Sequence, residues 1–291
     1  SDWSSDVCSS DLVYMESSLR KLQKIEADIL QVVSKICDEE QIRYYLSSGT
    51  LLGAVRHQGF IPWDDDIDIM IPRPDYERFL RVASEKLPPY LALCHYTKDC
   101  NYPFRQAKVV DKRYQLVREI FSDNKAYDVW IDVFPLDGLP KGRLSLTAHK
   151  CWITFHMLTL KLSRLNYHGT DYSKRTWWQC AVLKANKVIH FSRLLSMTKE
   201  IRKFNDFLSR YPFEQSEWCI NCFGEYIYRE SFPISWLGDG RKISFEGESF
   251  SAPQEAEKYL TKVYGDYMAL PPKEQRTCKH SVEFISRENR L

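Results

Sequence analysis

Ser47-Ser48-Gly49-Thr50-Leu51-Leu52-Gly53-Ala54-Val55-Arg56-His57, followed after a short loop by Trp63-Asp64-Asp65-Asp66-Ile67-Asp68-Ile69-Met70-Ile71, sets a small-residue turn ahead of four clustered aspartates. Gly49 and Gly53 permit close backbone approach to an anion, and Ser47, Ser48 or Thr50 can cap a short helix whose N-terminal amides favour negative charge. From Asp66 to Ile69 polar and apolar residues alternate, so on a strand the carboxylates of Asp66 and Asp68 face one side, roughly 7 Å apart. A solvated acidic loop is the plain alternative. Ile67, Ile69, Met70 and Ile71 oppose it, because they make a buried strand of the segment, and buried carboxylates need a partner that offsets their desolvation. One or two Mg²⁺ ions, or Mn²⁺ in their place, would be that partner: hard oxygen donors suit them, and Mg²⁺ prefers a few carboxylates plus substrate phosphates to an all-protein cage.

Outward from this core, residues 17–40 place Leu19, Leu22, Ile25, Ile29, Val33 and Ile36 at three- and four-residue spacing, an amphipathic helix that packs on the sheet. Ile42 to Leu46 reads as a short strand, Thr50 to His57 as a helix and Gly59 to Trp63 as a loop, with the Asp strand ending at Pro72. A helix over Asp75 to Leu87 follows, closed by Pro88-Pro89, then strands at Leu91–Tyr96, Arg105–Val110, Tyr114–Ile120 and Val129–Phe134, the last stopped by Pro135 and Pro140. Leu144 to Tyr211 is helical in pattern apart from an Asn166 to Ser173 loop, and its apolar run Cys151 to Leu160 reads as core helix. Phe245 to Ser249 and a helix over Gln254 to Val263 return to the core.

With 44% hydrophobic and 14% aromatic residues, 291 residues suffice for one large core or two small ones. No apolar run approaches the ~18 residues of a membrane span. Residues 1–12 have neither the basic start nor the apolar stretch of a signal peptide; they are expected to be an adapter-derived segment foreign to the fold, with the native start lost or at Met15. Without Asp2, Asp6 and Asp11 the acids number 36 against 41 bases, a working charge of +5 rather than +2 that suits anionic substrates. The bases of the helical region, Lys174, Arg175, Lys184, Lys187, Arg193, Lys199, Arg202 and Lys203, read as a solvated face. The alternative is docking to an anionic glycan or a membrane leaflet, helped by Trp177-Trp178. Nucleic acid is not expected, since no recognition motif accompanies the charge. The nine scattered cysteines suggest reduced thiols in a cytoplasm, with a peripheral contact at the inner membrane face as an option. Cys219 and Cys222 form the one close pair, a turn with half-buried thiols unless Cys180, Cys278, His190 or His280 completes a zinc site.

Gly49 to Asp68, running Gly-Thr-Leu-Leu-Gly-Ala-Val-Arg-His-Gln-Gly-Phe-Ile-Pro-Trp-Asp-Asp-Asp-Ile-Asp, is similar to the signature of the LicD-type phosphocholine transferases, relatives of fukutin and fukutin-related protein within the nucleotidyltransferase superfold. The likeness continues through Trp130 to Pro140, Phe245-Glu246-Gly247, and Tyr264-Gly265-Asp266-Tyr267-Met268 with Leu270-Pro271-Pro272. It extends from about residue 18 to the C-terminus, except for Lys141 to Trp236, where no family motif stands. The resemblance implies an α+β fold, a nucleotidyltransferase-like mixed sheet flanked by helices: a catalytic core over 13–140, a mainly helical insertion or acceptor region over 141–235, and a C-terminal segment over 236–291 that packs back on the core.

The resemblance also implies Mg²⁺-dependent transfer of phosphocholine, or a similar phospho-alcohol, from CDP-choline or a related CDP-alcohol to a sugar hydroxyl of a cell-surface glycan such as lipopolysaccharide, teichoic acid or capsule. In that scheme Asp66 and Asp68 hold the metal on the pyrophosphate, and Asp132, on a later strand, is the third ligand and lowers the pKa of the attacking hydroxyl. Asp137 competes for that place, with an Asx turn or helix cap as its ordinary role. Ser48, Gly49 and Thr50 contact phosphate through backbone amides, and Arg56 neutralises charge in a loose transition state. Lys108 is a second phosphate ligand or else an exposed strand-edge lysine. Asp64 and Asp65 order the loop, and His57 donates to a carboxylate or moves a proton. His280 is a conceivable substrate contact. A choline cage would draw on Trp63, Tyr44, Trp130 and Tyr267, for each of which core packing is the default. Two other classes compete: a nucleotidyltransferase that moves NMP from an NTP to a protein or small molecule, and a non-catalytic glycan- or nucleotide-binding module.

Overall fold

The computed structural model describes residues 9–99, 102–117, 126–163, 184, 195–278 and 283–286. Ile69, Met70 and Ile71 are fully buried, so this strand, β2 (Asp68–Pro72), lies inside a sheet covered on both faces. The sheet is mixed and eight-stranded among the described residues, in the order β1 (Tyr45–Leu46), β2, β5 (Ala126–Gly138), β4 (Ala107–Val117), β10 (Glu283–Ser286). β3 (Leu91–Cys94) also joins β4, and β6 (Trp218–Ile220) extends β5 and pairs with β7 (Ser231–Pro233). β2 and β5 run parallel, with Asp68 opposite Asp132 and Ile71 opposite Pro135. A parallel pair needs a long crossover, supplied here by α3 (Arg73–Lys86), β3 and β4.

The long amphipathic helix α1 begins at Ser9, earlier than its apolar spacing predicts, and runs to Glu39. It buries Leu22, Ile25, Ile29, Leu30 and Val33 in the core that also holds β2 and β5. α2 (Ser48–His57) packs on β2, and a hairpin of β8 (Arg241–Phe245) and β9 (Glu248–Ala252) leads to α6 (Ala256–Tyr264). Phe245, Phe250, Tyr259 and Leu260 belong to the same core. A second cluster of Ile153, Leu160, Ile201, Phe204 and Phe207 joins α4 (Arg143–Ser163) to α5 (Met197–Leu208) beside Phe134 and Leu139.

The expected mixed α+β sheet with flanking helices is thus the observed class, while several elements depart from their expected bounds or burial. Arg105–Val110 and Tyr114–Ile120 are one strand, β4, with an irregularity between Asp111 and Gln115 opposite β5; residues 118–120 lie outside the described residues. Pro135 does not stop β5. The Asp132 amide donates to Ile67 (2.8 Å), so even-numbered amides face β2; the amide Pro135 lacks would face the other edge, where the register with β4 begins only at Ala107 and Val133. Cys151 to Leu160 is not wholly core, because α4 buries one stripe, including Ile153, His156 and Leu160, and leaves Cys151, Trp152, Phe155 and Leu158 exposed among the described residues. No helix among the described residues is long and apolar enough to cross a membrane.

Where β2 ends, Arg73 donates from Nε and Nη2 to the two oxygens of Asp137, at 2.6 and 2.7 Å. Both residues are buried, so Asp137 ties the start of α3 to the end of β5; it makes no Asx turn or cap, and it does not reach the carboxylate cluster described below. Removing one partner leaves the other charge buried and uncompensated. Asp137→Ala is therefore expected to lose about 3–5 kcal/mol in denaturant unfolding. A loss below ~1 kcal/mol would show that this pair does not join the two elements.

Candidate active site

Asp64, Asp66, Asp68 and Asp132 line one cleft, a cavity of about 720 Å³. Asp66 lies in the extended segment leading into β2, and burial alternates from Asp64 to Ile69, which turns Asp64, Asp66 and Asp68 to the same side and hides Asp65 and Ile67. Burial pushes the Asp68 carboxyl well above its usual range, and the charges of Asp66, Asp132 and Asp64 add to the shift. Such a group favours a proton or a cation. Asp132 is differently served: Lys108 Nζ lies 2.7 and 3.0 Å from its two oxygens, Gln106 Nε2 donates at 2.7 Å and Trp130 Nε1 at 3.0 Å.

Lys108 is buried on β4, between the rings of Trp130 (4.0 Å) and Phe104 (4.4 Å). The exposed strand-edge alternative is thereby corrected: β4 is flanked by β5 on one side and β3 and β10 on the other. Its ammonium faces Asp132, and Lys108 is not among the residues lining the cleft. Trp130 and Tyr44 do not line it either, the first holding Asp132 and the second buried in the main core, whereas Trp63 and Tyr267 do.

The glycines of the turn serve close packing. A methyl group on Gly49 would stand 2.6 Å from Asp64 Oδ2, and one on Gly53 would stand 2.4 Å from the Gly59 carbonyl, so the near neighbours are a carboxylate and the following loop. Ser47 occupies the N-cap of α2 without a side-chain capping bond, and Ser48, at φ 48°, lines the cleft with Gly49. Thr50 is buried, and its hydroxyl accepts from the Asp68 amide at 2.8 Å, fixing the Asp68 backbone rather than facing the cleft. Arg56 lines the cleft, donates to the carbonyl of Tyr267 at 2.9 Å and has no carboxylate partner among the described residues. Burial and nearby Arg276 lower its proton affinity. His57 accepts from Arg56 Nε at 3.0 Å, and it donates to no carboxylate among the described residues.

The zinc alternative at Cys219 and Cys222 gains nothing from the fold. Both thiols are fully buried, burial raises them well above the usual thiol range, and Cys219 Sγ donates to the Phe232 carbonyl at 3.6 Å. Cys180, His190, His280 and Trp177-Trp178 lie outside the described residues. No group of three or more His, Cys, Asp or Glu side chains among the described residues is placed to hold a metal ion, Asp66, Asp68 and Asp132 included. A cation that takes one or two carboxylates and completes its shell with phosphate and water needs no cage, and the charge-crowded Asp68 with Asp66 beside it fits that requirement.

Phe223, Gly224, Glu225 and Tyr226 reach the cleft from the stretch where no family motif stands, joined by Tyr264 and Asp266. The available signal was Gly224, a residue with no room for a side chain: a methyl group there would fall 2.1 Å from Glu230 Oε1. The Glu230 carboxylate accepts from Asn221 Nδ2 (2.7 Å) and the Tyr226 amide (3.1 Å), which folds this loop over a buried acid. Burial raises Glu230 from 4.5 to about 7, the hydrogen bonds opposing it. Because the folded state holds the proton more tightly, the contribution of Glu230 to stability is full below pH 4.5 and is lost as pH rises through about 7. The size is ~3 kcal/mol at 1.36 kcal/mol per unit. Unfolding of Glu230→Gln should lack that component of the pH dependence. Identical pH profiles for the two proteins would contradict the assignment.

The family described as LicD/FKTN/FKRP, nucleotidyltransferase domain, matches residues 41–137, the stretch that supplies α2, the aspartates and β5. The lipopolysaccharide cholinephosphotransferase LicD of Haemophilus influenzae is 30% identical over 279 residues, 91% of this chain and 97% of that protein. An uncharacterized protein of Rickettsia typhi is 31% identical over 120 residues, 40% of this chain and 35% of its own, and one of Rickettsia prowazekii is 49% identical over 47 residues, 16% and 18%. Near-complete overlap with the Haemophilus protein, together with the matched carboxylate segment, places this chain in the LicD family.

Proposed function

We propose that this protein transfers phosphocholine from CDP-choline to a sugar hydroxyl of lipopolysaccharide, with Mg²⁺ held by Asp66 and Asp68. The observation that carries the proposal is the in-register pair Asp68 and Asp132, open to a cleft large enough for a nucleotide diphosphate ester. The name of the Haemophilus relative supplies the choline phosphate and the acceptor class. Bound there, Mg²⁺ would withdraw charge from the pyrophosphate and acidify the acceptor hydroxyl.

The chain's own groups divide the remaining work. Asp66 and Asp68 orient the donor's phosphates. Asp132, fixed by Lys108, Gln106 and Trp130, faces the acceptor hydroxyl and takes its proton as the sugar oxygen bonds to the choline-bearing phosphorus. The bond from that phosphorus to the bridging oxygen breaks and CMP leaves. Arg56, with Arg276 close by, faces the charge that grows on the departing phosphate. The faces of Trp63, Tyr226, Tyr264 and Tyr267 suit a quaternary ammonium, and Glu225 and Asp266 add negative charge.

Incubation of the purified protein with Mg²⁺, CDP-choline and lipopolysaccharide should release CMP and label the glycan. Asp68→Asn should lower transfer by on the order of 10³-fold, the loss of several kcal/mol of charge stabilisation, while remaining folded with a metal-free melting temperature no lower than wild type. Wild-type turnover in Asp68→Asn would overturn the site. In a thermal-shift panel, CDP-choline with Mg²⁺ should stabilise more than ATP or GTP; at 100-fold excess over Kd the gain is ~2.7 kcal/mol. A shift from purine triphosphates alone would favour NMP transfer instead.

A further inference from the structure

A second concavity, about 490 Å³, opens where β5 ends and α4 begins. Lys141, Arg143, Lys150 and Lys262 line it together with Trp218 and Tyr228. Its acid is Glu217, which pairs with Lys141 at 2.9 Å, so the lining carries a clear positive excess. The N-terminus of the 21-residue helix α4 opens at the same place, adding the positive end of its dipole.

The two aromatic rings are unusual for a surface. Trp218 is 43% exposed and Tyr228 37%, and a lysine stands over each: Lys262 Nζ lies 5.5 Å from the Trp218 centroid and Lys150 Nζ 5.7 Å from that of Tyr228. The Tyr228 hydroxyl donates to the Lys150 carbonyl (3.0 Å) and meets Thr154 Oγ1 at 2.7 Å, which locks the ring in place. Rigid aromatic faces accept the apolar side of a sugar ring, and lysines beside them accept anionic substituents. Neither the catalytic carboxylates nor the aromatic cluster of the cleft needs this groove.

Three segments build both the groove and the cleft. β5 passes from Asp132 and Phe134 to Leu139, the loop before β7 passes from Tyr226 to Tyr228, and α6 carries Lys262 and Tyr264. Along the strand, Asp132 and Gly138, the residue before Leu139, are roughly 20 Å apart at ~3.3 Å per residue, the reach of an oligosaccharide rather than of a single sugar.

We infer that this groove binds the phosphorylated part of the oligosaccharide acceptor and so selects glycans that present a hydroxyl at Asp132, an inference that rests on the acceptor class proposed above. The probes are the lipid-free, phosphorylated core oligosaccharide of lipopolysaccharide and the same material after chemical dephosphorylation, titrated calorimetrically against wild type, Lys150→Glu/Lys262→Glu and Trp218→Ala. Wild type should bind the phosphorylated form at least tenfold tighter than the dephosphorylated one. Both variants should lose at least tenfold in affinity for the phosphorylated form, while the thermal shift from Mg²⁺ and CDP-choline stays at its wild-type value. Oligosaccharide affinity unchanged in the variants, or equal for the two probes, overturns the inference. So does loss of binding to phosphatidylglycerol vesicles in the double variant with oligosaccharide affinity intact, which assigns the groove to a lipid surface. Lysine-dependent binding in a protein that transfers no phosphocholine supports the groove and removes the choline reading instead.

Discussion

Asp68 and Asp132 stand opposite each other on neighbouring parallel strands, and the rest of the site answers to that crowding. Neighbouring strands are ~4.8 Å apart. Two like charges about 5 Å apart at an effective dielectric near 20 repel by about 3 kcal/mol, a large share of the stability of a domain. The fold offsets one of the two charges: Lys108, Gln106 and Trp130 all serve Asp132. Burial and the charges of Asp66, Asp132 and Asp64 hold the Asp68 carboxyl well above its usual range, and in the proposed reaction it faces the cation that arrives with the substrate. Under the proposed function that asymmetry gives the two carboxylates different work from one backbone register.

The same cleft brings both signs of charge together. Carboxylates from the β2 segment occupy one part, and Arg56 holds the loop after α6 through the carbonyl of Tyr267 while Arg276 lies over Trp63 at 5.9 Å. A diphosphate bound to a divalent cation needs that combination, since the cation needs the acids and the outer phosphate oxygens need the guanidinium. Glu246 anchors the opposite flank by accepting from the Phe60 amide and pairing with Arg20, which accounts for Phe245-Glu246-Gly247 as a motif of packing rather than chemistry.

Much of this was legible in the chain because the decisive signals are local. The alternation at Asp66 to Ile69 announces one carboxylate face and Ile131-Asp132-Val133 a buried strand carrying another acid, while the mixed sheet that joins them is what the family resemblance implies. What escaped depends on partners distant in sequence. Nothing around Lys108 says that Asp132 will meet it across a strand pair, and nothing around Asp137 reveals Arg73. Pro135 misled because the direction of a strand's amides is a tertiary fact. Phe223 to Tyr226 were missed because a loop built on the buried acid Glu230 has no periodicity to read.

In the proposed reaction Asp68 receives a cation while Asp132 is satisfied by Lys108, Gln106 and Trp130. Titration of Mn²⁺ in the presence of CDP-choline, followed by loss of the free-ion electron paramagnetic resonance signal, tests it directly. Saturable binding is expected in wild type, retained in Gln106→Ala, and at least tenfold weaker in Asp68→Asn. Equal Mn²⁺ affinity in wild type and Asp68→Asn would contradict it.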